Sequence, residues 1–482
     1  MLSVLSYFMV FHRLDVKALH TWDEALFANR AFYLAFHGEY FTSWQEVDFC
    51  EIPHPNTKPP LIGFFQAISF KMLGYNRLAL RLPIALLGIL TGLGLLIFAK
   101  KWSSGYTVGI LATVILFSAF GYNHWHVLRT GDHDAALAFW LLGSIVFFWL
   151  YRFGKHKNLN LVLFFVFTAC AILTKSIMGF LMLPGIGLYA LFFMPLKPLL
   201  KNPAFYAGFG LMALLVILFY GSMEMKHPGF LQLVWDKEIG GRYTTSIDHH
   251  EGPWYFYIDY LTGKGFKPFW ILSLIGAWFG IRSTNTALRH ASIMLSICVL
   301  TYLITISAAQ TKLIWYAAPL YPLMALLAAM GMVSVSEKWL YLLAEKLRLK
   351  SQSIWLVYLL FLASPIYKII DRNLTESTEY VFERYELALE RLHETHPEIS
   401  QIKVHTRNSL WYPNLIFVAN KFSKIYGVEI NLVKPTDRLM AGDLVFGSYH
   451  ERMERYNLTL IEQYGAKGDI RLWRVDSLKR PE

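Results

Sequence analysis

The chain has 482 residues, of which 55% are hydrophobic and only 16% charged. Soluble domains carry roughly a quarter charged residues, so this composition excludes an ordinary soluble enzyme, and recurring apolar runs of about 20 residues predict a polytopic helical membrane protein. The net charge of +11 is attributed to basic cytoplasmic loops and to contact with anionic lipid or phosphate, not to nucleic acid. The three cysteines are scattered and predict no disulfide framework.

The N-terminal region places an acidic pair shortly after an apolar start. Residues 1–15 are apolar but shorter than the roughly 17 residues that a span needs. Asp23 and Glu24 follow, and the pattern predicts a helix over 24–37 that ends at Gly38. Acids suit the N-terminus of a helix, so capping is one explanation of this pair and chemistry is the other.

Ten apolar segments follow a polar loop over 39–60 and a short helix predicted over 61–73. None carries Asp, Glu, Lys or Arg in its core, and they are 82–99, 104–120, 135–151, 158–174, 177–194, 203–222, 268–281, 291–309, 313–336 and 353–367. With the N-terminal helix, they predict about eleven transmembrane helices.

Basic residues fall on alternate connections between these segments, which sets the orientation. The basic connections are those with Lys100/Lys101, Arg152/Lys155/Lys157, Lys197/Lys201, Arg282/Arg289 and Lys338/Lys346/Arg348/Lys350. The positive-inside rule assigns them and the N-terminus to the cytoplasm. Every other polar loop, including 16–76 and 223–263, is then predicted to lie on the outer side.

The chain changes character at about residue 368. Residues 368–482 are charged, and their pattern predicts a small α/β domain outside the membrane. Its predicted elements are helices over 374–394 and 410–425 and strands over 400–406, 427–433, 443–447 and 458–474. The sequence thus predicts two domains: a membrane domain over 1–367, in which loops 16–76 and 223–263 form the active-site face, and a soluble domain over 368–482.

The outer face gathers the residues that could carry chemistry. They are the acids Asp23, Glu24, Asp132 and Asp134 and the bases Lys58, Lys175, Arg242 and Lys312. Each has a simpler explanation by itself: helix capping for the acids, and snorkelling or interfacial anchoring for the lysines. Together, several cations at the interface suit a lipid-borne phosphate, and a neighbouring carboxylate suits proton transfer from a hydroxyl.

The loop over 223–263 is rich in aromatic and histidine residues. Such side chains line sugar sites, and they also form membrane-interface belts. His249 and His250 with nearby acids leave a divalent cation open, although no HExxH or similar spacing supports one. No cofactor is therefore assigned from the residues, and no motif for a nucleotide-sugar donor is present.

As a set, the motifs over residues 20–330 resemble the GT-C membrane glycosyltransferases, and among them the bacterial aminoarabinose (lipid A) transferases and protein mannosyltransferase-like enzymes. The matching motifs are Trp22-Asp23-Glu24, Lys58-Pro59-Pro60, Arg81-Leu82-Pro83, Asp134-Ala135-Ala136, Leu173-Thr174-Lys175 and Lys312-Leu313-Ile314-Trp315-Tyr316. In the aminoarabinose transferases a glutamate that helps to hold a metal precedes the Lys-Pro lysine, whereas Thr57 stands there in this chain. Their loop histidine, near Glu238 here, is also absent.

The resemblance implies an inverting transfer of a sugar from a polyprenyl-phosphate donor to a lipid A-like or protein acceptor, on the periplasmic side of a bacterial inner membrane. Asp23 would act as the general base or would orient the acceptor, and Glu24 and Asp134 are further candidate catalytic residues. Lys58 would hold the donor phosphate, together with Lys175, Arg242 and Lys312. The alternative that the sequence leaves open is a transporter or flippase of a lipid-linked sugar, since that class is also polytopic.

Overall fold

The computed structural model describes most of the chain. The described residues are 2–20, 23–38, 44–45, 54–103, 105–124, 126–244, 250–340, 345–346, 354–375, 381–405, 412–433, 437–448, 451–464 and 470–479.

Long apolar helices dominate, as predicted, and the protein is a polytopic helical membrane protein. Among the described residues, seven helices are long and apolar enough to cross a membrane, and they are Arg77–Lys100, Asp134–Phe153, Lys157–Phe180, Pro203–Lys226, Thr286–Ala308, Leu320–Leu340 and Ile354–Leu374. Shorter apolar helices are Leu2–Phe11, Leu61–Leu73, Thr107–Ser118, Leu183–Phe193 and Trp270–Ile281. The predicted number of about eleven spans stays a prediction.

Local sequence explains where several helices begin and end. Asn285 caps the helix Thr286–Ala308 by accepting hydrogen bonds from Ala287 N and Leu288 N at 3.0 and 3.2 Å. Gly38, two residues after the last residue of the helix Asp23–Phe36, has a φ of +72°, a left-handed conformation that glycine adopts at little cost. The helix end predicted at this glycine is therefore present.

The chain divides into two packed units. The first contains Met1–His12, Thr57–Ile62 and Pro83–Thr375, and the second contains Arg13–Asn56, Gly63–Leu82 and Glu376–Glu482.

Glycine allows close helix packing within the first unit. A Cβ on Gly276 would lie 1.8 Å from Leu327 O, and one on Gly331 would lie 2.1 Å from Leu272 O. The helices Trp270–Ile281 and Leu320–Val335 therefore approach at backbone contact, as small residues permit in membrane helix pairs.

The second unit contains the C-terminal sheet. Its strands are β3 (Gln401–His405), β4 (Glu429–Leu432), β5 (Leu444–Ser448), β6 (Tyr456–Tyr464) and β7 (Ile470–Leu478), after a short antiparallel pair formed by β1 (Trp44–Gln45) and β2 (His54–Pro55). The sheet order is β4-β3-β5-β7-β6, with β3 parallel to β4 and β5 and with β7 antiparallel to β5 and β6. The predicted strand region 458–474 is thus a pair of antiparallel strands, since 17 residues exceed the usual strand length.

The core of the second unit draws on distant parts of the sequence. The sheet and the helices Val381–Thr395 and Tyr412–Tyr426 share one apolar cluster with the helices Asp23–Phe36 and Leu61–Leu73. The acidic pair is therefore built into the same packed unit as the C-terminal sheet.

Candidate functional site

Lys58 is held by a carboxylate that lies 180 residues away in the sequence. Its Nζ donates to both oxygens of Glu238, at 2.6 and 2.5 Å, and Thr57 Oγ1 donates to Glu238 Oε1 at 2.5 Å. Pro59 and Pro60 follow directly, and proline restricts both its own backbone and that of the preceding residue. The prolines thus restrict the backbone of Lys58, and Glu238 holds its ammonium group.

Glu238 lies in a π-helical turn, Trp235–Gly240, which leads into the short helix Gly241–Thr244. This turn brings Arg242 Nε to 3.7 Å from Glu238 Oε2, and the Arg242 guanidinium donates to the hydroxyl of Tyr316. Glu238 therefore lies between two cations.

These charges shift one another's protonation. Burial, opposed by Glu238 and assisted by repulsion from Arg242 and Lys175, lowers the pKa of Lys58 to about 8. Burial alone would raise the pKa of Glu238, but Lys58 and Arg242 outweigh it and lower that pKa to about 2. Glu238 is therefore a carboxylate at any physiological pH.

Lys175 and Asp134 form a second buried ion pair. Lys175 is the last α-helical residue of the membrane segment Lys157–Phe180, whose final turn, Ser176–Phe180, is a 3-10 helix. Asp134 is the first residue of the helix Asp134–Phe153. The helices are packed neighbours, which places these ends side by side, and Lys175 Nζ lies 2.5 Å from both oxygens of Asp134. Asp134 is thus the ion-pair partner of a cation, and its predicted catalytic role stays a prediction.

The two ion pairs border one cleft. Its polar lining residues are Lys58, Lys175, Glu238, Arg242, Tyr243 and Tyr316, and its apolar lining residues are Ile177, Met178, Leu181, Ile306 and Ala309. The structure therefore brings together three of the four basic residues that the sequence selected for a phosphate. A cleft lined by three cations and by apolar side chains suits an anionic head group attached to an apolar chain.

Lys312, the fourth of these bases, is engaged elsewhere. Its Nζ donates to Ser307 O at 2.7 Å and also to Ala309 O, at the end of the helix Thr286–Ala308. A cation at this position complements the exposed carbonyls of a helix C-terminus. The contacts of Lys312 favour a helix-terminating role, and its predicted phosphate-binding role stays a prediction.

In the second unit, Glu24 belongs to a buried ion pair. It is 0% exposed, and Arg81 Nε and Nη2 donate to its two oxygens at 2.6 and 3.0 Å. Arg81 also donates to three backbone carbonyls upstream, those of Leu14, Lys17 and Ala18. The pair therefore fixes the chain directly before the acidic helix, and Asp23, the half-buried first residue of that helix, is positioned by it.

We predict that Arg81→Ala destabilises the fold by about 3–5 kcal/mol, because it leaves the Glu24 carboxylate buried without its cation. Thermal unfolding of the purified variant in detergent measures this effect. Arg438→Ala, in an exposed arginine of the same unit, is the matched control and should unfold like the wild type. Equal unfolding temperatures for both variants would show that Arg81 is not required for the fold.

The residues beside Lys58 do not fit the metal ion that the resemblance to the aminoarabinose transferases implies at this position. Within the described part of the cleft, the carboxylate of Glu238 is bonded by an ammonium group and by a hydroxyl, with a guanidinium nearby. A divalent cation in this cationic surrounding would be repelled, so we assign none here. His249 lies outside the described residues, and the histidine site stays a prediction.

Sequence reasoning did not select Glu238 as a site residue. Its spacing of four from Arg242 is an ordinary helical ion-pair signal. No local sequence signal links Glu238 to Thr57 or Lys58, because their contact forms only in the tertiary structure.

Comparisons with known proteins agree with this architecture. Residues 57–220 match the family model described as dolichyl-phosphate-mannose-protein mannosyltransferase. An uncharacterised protein of Aquifex aeolicus (strain VF5) is 24% identical over 332 residues, covering 68% of this chain and 63% of that relative. The match thus spans less than two thirds of that relative's length.

Two solved structures have a similar fold. ArnT from Cupriavidus metallidurans, bound to undecaprenyl phosphate, aligns over 100% of this chain and 98% of its own, with a TM-score of 0.71 at 15% identity. The archaeal oligosaccharyltransferase AglB from Archaeoglobus fulgidus, in complex with an inhibitory peptide and a dolichol-phosphate, aligns over 97% of this chain and 73% of its own, with a TM-score of 0.60 at 11% identity. The resemblance seen in the sequence is thereby confirmed: the chain has the GT-C membrane glycosyltransferase fold.

Proposed function

We propose that this protein is an inverting glycosyltransferase that moves a sugar from a polyprenyl-phosphate donor to a lipid A-like or protein acceptor. The observation that carries the proposal is the cleft of the first unit, which is lined both by Lys58, Lys175 and Arg242 and by apolar side chains. A charged phosphate with an apolar tail matches both parts of this lining. The ArnT structure, which holds undecaprenyl phosphate, supports the same class of ligand.

The cations attract a phosphate through their charge although they already have carboxylate partners. Lys58, Lys175 and Arg242 line one cleft, so a phosphate bound there would interact with all three. As the bond between the sugar and the phosphate breaks, negative charge grows on the phosphate oxygens. Fixed cations stabilise that charge.

Asp23 is proposed as the general base. The acceptor hydroxyl oxygen forms a bond to the anomeric carbon of the sugar, and the bond from that carbon to the phosphate oxygen breaks. Asp23 takes the hydroxyl proton, the polyprenyl phosphate leaves with the bonding electron pair, and the anomeric configuration is inverted. Of the two adjacent acids, Glu24 is fully buried in its ion pair with Arg81 whereas Asp23 is half-buried, which favours Asp23 for this role.

The acceptor is proposed only by class. The AglB structure contains an inhibitory peptide beside dolichol-phosphate, which supports a protein acceptor, whereas the undecaprenyl phosphate in the ArnT structure corresponds to the carrier and not to an acceptor.

The protein is proposed to lie in a bacterial inner membrane, with its active site and residues 368–482 in the periplasm. We predict that a cysteine introduced at exposed Met440 reacts with a membrane-impermeant reagent in intact spheroplasts, because the basic loops place this region outside. A cysteine at exposed Lys155 should react only after lysis. Both variants are made in a cysteine-free background, and the reverse pattern would invert the topology.

The alternative, a transporter or flippase of a lipid-linked sugar, predicts a different chemical outcome. Transporters usually place polar groups near the middle of the membrane, whereas the ion pair of Lys175 and Asp134 lies at helix ends. The protein in detergent, mixed with a bacterial total lipid extract, should release free polyprenyl phosphate if it transfers sugar. A transporter leaves the lipid-linked sugars intact, because micelles have no second compartment. Mass spectrometry of the lipids distinguishes the two outcomes.

A further inference from the structure

The cleft has an uneven charge balance that points to the charge of its ligand. Three cations line it, Lys58, Lys175 and Arg242, and Glu238 lines it as an anion. Asp134 neutralises one cation by direct contact with Lys175. Three positive and two negative groups leave one net positive charge.

Phosphate esters of a polyprenol differ in charge. A phosphodiester, in which the phosphate joins the lipid to the sugar, has one acidic oxygen and one negative charge. A phosphomonoester, which remains after the sugar has left, carries about −1.5 to −2 at neutral pH. The cleft is therefore balanced for the diester and is short of positive charge for the monoester.

Glu238 sets this balance by its contacts. Its carboxylate is 4% exposed, and it accepts hydrogen bonds from Thr57 and Lys58 while facing Arg242. Because its pKa is lowered to about 2, it keeps its charge throughout the physiological range. Without it, the same cleft would present two net positive charges as long as the side chain at position 58 stays protonated, and Glu238 itself helps to keep Lys58 protonated.

We propose that Glu238 is a specificity-determining residue that matches the cleft to the single charge of a lipid-linked phosphodiester and weakens its hold on the doubly charged product. Glu238 thereby favours the loaded donor over the spent carrier, and it limits product inhibition by free polyprenyl phosphate. This inference rests on the proposed function, since it assumes that the phosphate binds among Lys58, Lys175 and Arg242.

The test compares two probes at pH 7.5: undecaprenyl phosphate, a monoester, and undecaprenyl methyl phosphate, a singly charged diester. The purified full-length protein is used in detergent and carries Lys58→Arg as the common background, because arginine stays protonated when Glu238 is replaced. Glu238→Gln removes the charge but keeps an oxygen that can accept from Thr57. We expect this variant to bind the monoester more tightly, so that the ratio of monoester to diester affinity rises by about tenfold or more. Thr57→Val removes the hydroxyl bond without changing charge, and Glu238→Asp keeps the charge, so both should keep the ratio of the background protein.

The outcomes separate the inference from the proposed function. Suppose that Glu238→Gln weakens the binding of both probes, or leaves the ratio of their affinities unchanged, while Lys58→Ala binds neither probe. Glu238 then only positions the cations, and the inference is overturned. If Thr57→Val shifts the ratio as much as Glu238→Gln, the hydrogen bond and not the charge sets the preference, which also overturns it. If Lys58→Ala binds both probes like the wild type, the phosphate site itself is wrong, and the proposed function fails with it. Thermal unfolding of every variant confirms that folded protein is compared.

Discussion

Asp23→Asn is expected to lower the rate of sugar transfer by at least about two orders of magnitude, because general base catalysis contributes about 10²–10⁴-fold. Asparagine keeps the shape of the side chain and an oxygen acceptor at the start of the helix Asp23–Phe36, but it cannot take the proton of the acceptor hydroxyl. The variant should still fold, insert and bind the donor, so the loss appears in turnover and not in donor affinity. Single-turnover transfer, measured beside donor binding, separates these two quantities.

Asp15→Asn is the matched control for this result. Asp15 is an exposed acid in the same segment of the second unit, and its carboxylate has no assigned role. Transfer by this control should equal that of the wild type. Near wild-type transfer by Asp23→Asn would leave Asp23 as a helix-terminal residue and would remove it from the mechanism.

Lys58→Ala is expected to weaken binding of a polyprenyl-phosphate ligand by about tenfold to a hundredfold, since charge-assisted bonds to phosphate contribute more than neutral ones. The substitution removes the cation that both proline restriction and Glu238 fix at the cleft. Wild-type affinity should also fall as pH rises above about 8, because Lys58 has its pKa lowered to about 8 and loses its charge there. Titration of the ligand into purified protein measures both effects.

Two variants control for the charge and for the segment. Lys58→Arg keeps a cation that stays protonated, so its affinity should not fall near pH 8. Lys237→Ala removes an exposed lysine of the turn that carries Glu238 and should bind like the wild type. An unchanged affinity in Lys58→Ala would show that Lys58 serves only as an interfacial anchor.

Much of the membrane architecture could be predicted because it follows from local composition. The apolar segments over 135–151 and 203–222 correspond to the helices Asp134–Phe153 and Pro203–Lys226. The ends of some helices could also be predicted, since Asp134 and Lys175 fall where apolar patterns begin and end. Their ion pair was not predicted, because it depends on the packing of two neighbouring helices.

The contacts that define the cleft and the acidic helix could not be predicted in the same way. Glu238 meets Lys58 across 180 residues, and Glu24 meets Arg81 across 57. Such pairs depend on tertiary packing, and no periodicity in the sequence predicts which acid will contact which base. The sequence likewise separates residues 368–482 by composition, whereas their apolar core also includes the helix Asp23–Phe36.

The most direct test of the central claim is mass spectrometry of lipid A and of glycoproteins from cells that contain or lack this protein. Sugar transfer from a polyprenyl carrier predicts that one of these two classes loses a discrete sugar mass when the protein is absent. The wild-type gene should restore this mass, and the Asp23→Asn variant should not. Identical masses in both classes, with and without the protein, would contradict the assignment as a glycosyltransferase acting on these acceptors.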